Sequence, residues 1–97
     1  MIIVTGSVRA RPESLHEVLT LSLDHVHRSR GEPGCLLHTV HQDVEDPLRV
    51  VFLEYWEDRE KLDAHFAVPA SGDFVVAVSA LAAETPVMNI YEAAPTR

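Results

Sequence analysis

The stretch that decides the fold is CLLHTVHQDVEDPLRVVFLEYWED, which runs from Cys35 to Asp58. Its two arms, 35–42 and 48–57, are rich in β-branched and aromatic residues and alternate as strands do. The polar connection between them ends in Pro47, and this pattern predicts an antiparallel hairpin. One face of the hairpin is expected to turn toward helices and carries Leu36, His38, Val40, Phe52, Glu54 and Trp56.

The segments on either side of the hairpin add one strand before it and one after it. Residues 2–9 form a β-rich run, and an amphipathic helix follows whose apolar residues recur at every third or fourth position over 15–26. Beyond the hairpin, Asp58 is suited to cap a short helix, and a third helix begins near Ser71. A last strand covers 87–92.

The resulting order of elements is β, α, β, β, α in two pieces, β. This order predicts an α+β fold, a ferredoxin-like split βαβ sandwich whose four-stranded antiparallel sheet carries helices on one face. We expect a single domain over 1–97, with a polar C-terminal tail at 93–97. The other face of the sheet has no helix to cover it, yet Val51, Leu53 and Tyr55 would point there. An apolar face of this kind indicates an interface, so we expect a homodimer through the sheet face.

Composition and charge disfavour several classes of function. Eight Lys and Arg against fifteen Asp and Glu give a formal charge of -7, which repels nucleic acids and anionic membrane surfaces. The longest nearly apolar run, 74–83, is too short for a membrane span, and 1–8 lacks the basic residues of a targeting signal. The lone Cys35 excludes an internal disulfide and a zinc site of paired thiolates. We therefore expect a cytoplasmic protein that binds neither nucleic acid nor membrane.

Six histidines raise the question of a metal site. His25 and His27 diverge on a helix, and His38 and His41 point to opposite faces of a strand. No pair within one element has metal geometry, so we expect no metal, although a site assembled from different elements stays open. His38 and His65 lie on faces that turn inward, where a structural role and a catalytic role both stay open. The histidines expected at the surface are His16, His25, His27 and His41.

The remaining candidates are one acidic and four aromatic side chains. Glu54 lies on the inward face, where it can pair with a helix residue or act as a base. The aromatic residues are typical of a core and can also line a pocket for a flat ligand: Phe52, Trp56, Phe66 and Phe74. No serine has the context of a nucleophile elbow and no glycines form a phosphate loop, which disfavours acyl transfer and nucleotide binding.

A series of short motifs occurs in order along the chain: EPGCL at 32–36, EDP at 45–47, E-x-W-x-D at 54–58, LDAHF at 62–66 and VP at 68–69. As a set they resemble the antibiotic biosynthesis monooxygenase (ABM) family, which includes small quinol monooxygenases. The resemblance implies a dimeric α+β barrel. It also implies that a quinol or polyphenol is oxygenated with O2, without any cofactor, in a pocket between sheet and helices. A protein this small suits such chemistry, since a deprotonated polyphenol can itself donate an electron to oxygen.

The same resemblance assigns roles to individual residues. It implies catalytic roles for His65, His38 and Glu54, with His65 as the first choice for the base that accepts a phenolic proton. The residues expected to bind substrate are Trp56, Phe52, Phe66, Phe74 and Asn89. The implied partners are a small aromatic or quinol-like substrate and O2, with no cofactor and no metal.

Two departures from the family pattern keep other functions open. Pro69 is followed by Ala70, where many family members carry His. The heme-degrading branch of the superfamily has its axial His at the position of Val75. We therefore retain two alternatives. One is a small dimeric ligand-binding or stress-associated protein without catalysis, and the other is a heme-binding or heme-degrading protein.

Overall fold

The computed structural model describes all 97 residues, Met1–Arg97, and contains four strands and three helices. In chain order they are β1 (Ile2–Arg9), α1 (Leu15–Ser29), β2 (Cys35–Gln42), β3 (Arg49–Trp56), α2 (Arg59–Ala67), α3 (Pro69–Leu81) and β4 (Val87–Glu92). The strands form one antiparallel sheet in the order β2-β3-β1-β4. This architecture confirms the predicted α+β ferredoxin-like fold.

The inward face of β3 is buried, as its alternation predicts. Phe52, Glu54 and Trp56 are buried, whereas the residues between them are partly exposed. One apolar cluster surrounds Phe52 with residues of β1, α1, β3 and α3 and with Ala10, which follows β1: Val8, Ala10, Val18, Val26, Val50 and Val78. A second cluster joins Trp56 to β1 and α2 through Ile2, Val4 and Leu62. Glu54 therefore lies on β3 between two apolar clusters.

Leu36 does not share the inward face of β2 that the sequence predicts for it. The pairing of β2 with β3 shifts between Cys35, which pairs with Trp56, and Leu37, which pairs with Tyr55. Leu36 is therefore an extra residue with no partner on β3. A bulge of this kind leaves the extra residue unpaired and turns it away, and the side chain of Leu36 is 57% exposed. His38 and Val40 lie beyond the bulge and keep the inward side, with His38 buried and Val40 packed against the core.

The turn before β2 lies close against α2. Gly34 has a φ of +81°, and a Cβ atom at this position would meet the side chain of Lys61. Only glycine adopts this conformation without strain and leaves room for the lysine. The close approach also places Glu32 beside α2, where its carboxylate contacts His65.

The predicted start of α2 agrees with the structure, whereas the predicted start of α3 differs from it. Asp58 caps α2 as predicted, because its carboxylate accepts a hydrogen bond from the backbone N–H of Lys61 at 2.9 Å. Ser14 precedes α1 without capping it, and its hydroxyl instead donates to the carbonyl of Leu81 at 2.7 Å. This bond ties the start of α1 to the end of α3. The third helix begins at Pro69 rather than near Ser71, since proline is favoured in a first helical turn.

Strand β4 is an edge strand that is exposed on both faces. All six of its residues are exposed, including the apolar side chains of Met88, Ile90 and Tyr91. An exposed edge of this composition is typical of a surface that pairs with another chain.

Among the helices, none is long and apolar enough to cross a membrane alone. Only the pair α2 and α3, bent by 71°, meets the requirements of length and composition.

Candidate active site

A cavity of about 540 Å³ lies between the sheet and the helices. This volume is in the range of pockets that bind small organic molecules. Of the residues that the sequence singled out, five line the cavity: Phe52, Glu54, His65, Phe66 and Phe74. The walls therefore combine three aromatic rings with a carboxylate and an imidazole.

Three other candidates do not line this cavity. Trp56 and His38 are fully buried behind it, where they contact the residues that do line it. Asn89 is on the opposite face of the sheet, which corrects its expected role as a substrate contact. In the register of β1 with β4, Asn89 pairs with Thr5, whereas Ile90 pairs with the buried Val4. Because side chains alternate along a strand, Asn89 points away from the helices.

Glu54 is the polar centre of the site. Its side-chain oxygen Oε1 accepts a hydrogen bond from Trp56 Nε1 at 2.8 Å, and it lies 3.3 Å from His38 Nε2 and 3.9 Å from His65 Nε2. Burial raises the pKa of Glu54, but the contacts with His38, the indole N–H of Trp56 and the nearby His65 lower it by more. The pKa consequently lies below its ordinary value. Glu54 is therefore a buried carboxylate that is ionised at neutral pH.

His65 is held by a second carboxylate. Its Nδ1 lies 2.9 Å from Glu32 Oε1, and the ring is buried against Trp56 at a centroid distance of 4.7 Å. Because an ionised carboxylate only accepts hydrogen bonds, this contact assigns the proton of a neutral His65 to Nδ1. The lone pair of Nε2 is then free, 3.9 Å from Glu54 Oε1, on a residue that lines the cavity. This pair has the form of an oriented general base.

His25 also lines the cavity, which corrects the expectation that it lies at the surface. Its side chain is 6% exposed, and its ring stacks on Phe74 at 4.1 Å with an interplanar angle of 6°. Nδ1 lies 2.8 Å from Arg28 Nη2. A guanidinium only donates, so Nδ1 accepts this bond and a neutral ring carries its proton on Nε2.

The predicted stripe of α1, which is Leu15, Val18, Leu19, Ser22 and Val26, lies on the packed side of the helix but leaves out His25 and Ser29. The buried stripe of α1 consists of Val18, Ser22, His25, Val26 and Ser29. Only two of these residues are apolar, so a search for hydrophobic periodicity finds the stripe incompletely. The signal that identifies His25 is its position three residues after Ser22 and four before Ser29, two small residues that permit close packing.

The buried state of His25 predicts a loss of stability in mild acid. Burial lowers its pKa to about 3, and the neighbouring His38, His65 and Arg28 act in the same direction. Since the unfolded chain binds this proton more readily, stability should fall as pH drops from about 6.5 toward 3, by at most about 1.4 kcal/mol per unit. The His25→Gln variant should show a shallower fall between pH 6.5 and 5. Urea unfolding in EDTA at several pH values checks this, and equal slopes for both proteins would contradict it.

Three histidines from three different elements meet beside Glu54. His25 of α1, His38 of β2 and His65 of α2 have ring centroids 5.2, 5.4 and 5.6 Å apart. One potential ligand atom from each lies within 4.8 Å of the other two. Spacing within a single helix or strand gives no indication of this group, because the tertiary fold assembles it. These are the residues that can hold a metal ion.

Three of the five motifs noted in the sequence supply residues to this site. Glu32 comes from EPGCL, Glu54 and Trp56 come from E-x-W-x-D, and His65 comes from LDAHF. Residues 1–77 match the family model described as antibiotic biosynthesis monooxygenase. The chain belongs to this family. Four residues of the motifs that carry the ABM resemblance thus contact one another in and behind the cavity wall.

Solved structures of ABM proteins share the fold. One described as an antibiotic biosynthesis monooxygenase is 32% identical, with a TM-score of 0.90 over 98% of this chain and 100% of that one. A candidate ABM protein of Deinococcus radiodurans is 26% identical, with a TM-score of 0.95 over 100% of this chain and 96% of that one. An uncharacterized protein of Synechocystis sp. is 32% identical over 99% of this chain. The chain spans 65% of the length of that relative.

Proposed function

We propose that this ABM protein is a monooxygenase that oxidises a quinol or polyphenol with O2 and without a cofactor. The observation that carries the proposal is the Glu32–His65 pair: His65 lines an aromatic cavity, and its free Nε2 lies 3.9 Å from the ionised Glu54. Phe52, Phe66 and Phe74 provide the surfaces on which a flat substrate would pack.

The first step is removal of a phenolic proton. His65 Nε2 accepts the proton, and Glu32 and Glu54 stabilise the imidazolium that forms, because both carboxylates lie within 4 Å of the ring nitrogens. The phenolate is a far better electron donor than the phenol. The protein therefore needs only to bind, deprotonate and shield the substrate for reaction with oxygen to begin.

The later steps draw their electrons from the substrate itself. The phenolate passes an electron to O2, the resulting radicals combine at a ring carbon, and the peroxide O–O bond then breaks as that carbon loses its proton. Overall, one quinol and one O2 give one hydroxyquinone and one water, so no external reductant is required. His25 lines the same cavity as a neutral ring with an N–H on Nε2. This N–H is available to donate to an oxygen that gains negative charge.

We also propose that two copies of the chain associate through the open face of the sheet and the exposed edge strand β4. The apolar residues that support this are Val51, Leu53, Tyr55, Val87 and Tyr91, all partly or largely exposed. Sedimentation velocity at micromolar concentration tests it, and a monomer at all concentrations would contradict it. The cytoplasmic location stays a prediction.

Oxygen uptake tests the proposed activity. Protein treated with EDTA and free of flavin should consume O2 above the autoxidation rate with at least one member of a panel of hydroquinones and polycyclic phenols. The Phe74→Ala variant, which removes a cavity wall, should raise KM, whereas the surface variant His41→Gln should match the parent. If no substrate reacts faster than its own autoxidation, the oxygenase proposal fails. Tight retention of a ligand or a Soret band on heme addition would then support the binding alternatives.

A further inference from the structure

We propose that His25, His38 and His65 form a binding site for one divalent first-row transition metal ion such as Zn²⁺, with Glu54 as the fourth ligand. The inference rests on the geometry of the site. It holds whether or not the protein is an oxygenase, because binding requires neither substrate nor O2.

The spacing of the three rings fits a single tetrahedral ion. Zinc–nitrogen bonds of roughly 2.0–2.1 Å at tetrahedral angles place three imidazole centroids about 5.2 Å apart. The centroids of His25, His38 and His65 are 5.2, 5.4 and 5.6 Å apart. Bound nitrogens would be about 3.4 Å apart, so ligand atoms now within 4.8 Å need to close by at most about 1.4 Å. Small side-chain rotations supply such a movement.

His38 gives a second, independent indication of a ligand. It is 1% exposed, and neither of its ring nitrogens has a hydrogen-bond partner. Its Nε2 lies 3.3 Å from Glu54 Oε1, which is a charge contact outside hydrogen-bond geometry. Buried polar groups in proteins are almost always paired, and an exception often marks a site for a bound water or ion. An ion beside Glu54 would satisfy one of these nitrogens.

The surrounding contacts have the pattern of groups that orient metal ligands. Glu32 holds His65 through Nδ1 and leaves Nε2 for coordination, which is the usual carboxylate–histidine–metal arrangement. Trp56 fixes Glu54 through its indole N–H. The two carboxylates would also balance the charge of a divalent cation in this buried position. Imidazole and carboxylate ligands together suit ions such as Zn²⁺ and Co²⁺.

Arg28 has to release its contacts with His25 and Ser71 when the ion binds. The bond from Arg28 to His25 Nδ1 keeps the proton of that ring on Nε2. Coordination through Nε2 moves the proton to Nδ1, so the guanidinium must turn away. Arg28 is exposed on α1, and solvent can accept its side chain. Binding should therefore release protons and weaken at low pH, as for other histidine sites.

Titration calorimetry of the EDTA-treated, dialysed protein with ZnCl2 and CoCl2, without substrate, tests the site. We expect one ion per chain and an intense visible Co²⁺ spectrum typical of four-coordinate sites. Each of His25→Gln, His38→Gln and His65→Gln should weaken binding at least about 100-fold. The exposed control His41→Gln should bind as the parent does. Glu32→Gln, which keeps all the ligands, should weaken binding about 10–100-fold.

Three results would overturn the site: no binding by the parent protein, unchanged binding by His38→Gln in folded form, or equal loss in His41→Gln. Circular dichroism and thermal melts establish whether each variant is folded. If one His variant does not fold, binding by the parent protein and by Glu32→Gln still tests the site. Because the ion takes Nε2 of His65, Zn²⁺ should also inhibit oxygen uptake, an expectation that rests on the proposed function. If oxygen uptake persists after EDTA treatment and Zn²⁺ does not bind, the metal site is refuted and the proposed oxygenase function is not.

Discussion

The His65→Gln variant is expected to lose about 10²–10⁴-fold in kcat for quinol oxygenation, the usual contribution of a positioned general base. Glutamine keeps the polar character and much of the volume of the side chain but cannot accept the phenolic proton. Since Phe52, Phe66 and Phe74 remain in place around the cavity, KM should change much less than kcat.

The neighbouring carboxylate provides the control for this prediction. Glu32→Gln leaves the imidazole present and removes the negative charge that stabilises its protonated form. We expect a smaller loss in kcat and a shift in its pH profile, which a purely structural role of Glu32 would not produce. Steady-state oxygen uptake on the folded variants measures both effects. A His65→Gln enzyme with the kcat of the parent would return His65 to a structural role.

The Trp56→Ala variant should lose about 3–5 kcal/mol of stability from the cavity left in the core. Trp56 is fully buried and forms an apolar cluster with Ile2, Val4 and Leu62. Its indole N–H is also the hydrogen-bond donor to the buried carboxylate of Glu54, and loss of that donor adds about 1–3 kcal/mol. A loss of this size is comparable to the whole stability of many small domains.

Trp56→Phe separates these two contributions. Phenylalanine retains much of the ring that packs against Leu62 and His65, yet it has no N–H for Glu54. It should therefore cost clearly less than Trp56→Ala. Urea unfolding of the three proteins at pH 7 measures the difference, and a loss below about 1 kcal/mol for Trp56→Ala would contradict the assigned packing. Because Trp56→Ala is expected to unfold much of the protein, it is unsuitable as a probe of the cavity.

Local sequence patterns were sufficient to predict most of the fold. The alternation of β3 correctly places Phe52, Glu54 and Trp56 inward, and Asp58 caps the helix that its side chain predicts. The prediction for Leu36 is wrong because one extra residue in β2 reverses the side of the sheet, and a bulge has no clear signal in a regular alternation. The local alternation therefore predicts which face a strand residue occupies only as far as the strand pairing stays regular.

The site was harder to predict because it depends on contacts between distant elements. Glu54 and His65 were found from their faces and motifs, but the pairing of His65 with Glu32 across 33 positions has no local signature. His25 was missed because its neighbours on the buried stripe are serines. The expected substrate contact of Asn89 rests on the resemblance alone, whereas the register of β4 against β1 places this residue on the face away from the helices.

The measurement that tests the central claim most directly is the fate of ¹⁸O2 in a single reaction with metal-free protein. The substrate with the fastest uptake is oxidised in H2¹⁶O, and the product is reduced at once and analysed by mass spectrometry. A monooxygenase that uses His65 as its base should place one ¹⁸O atom in the product and the other in water, and His65→Gln should abolish this labelling. An unlabelled quinone with release of hydrogen peroxide would instead identify an oxidase reaction and contradict the account.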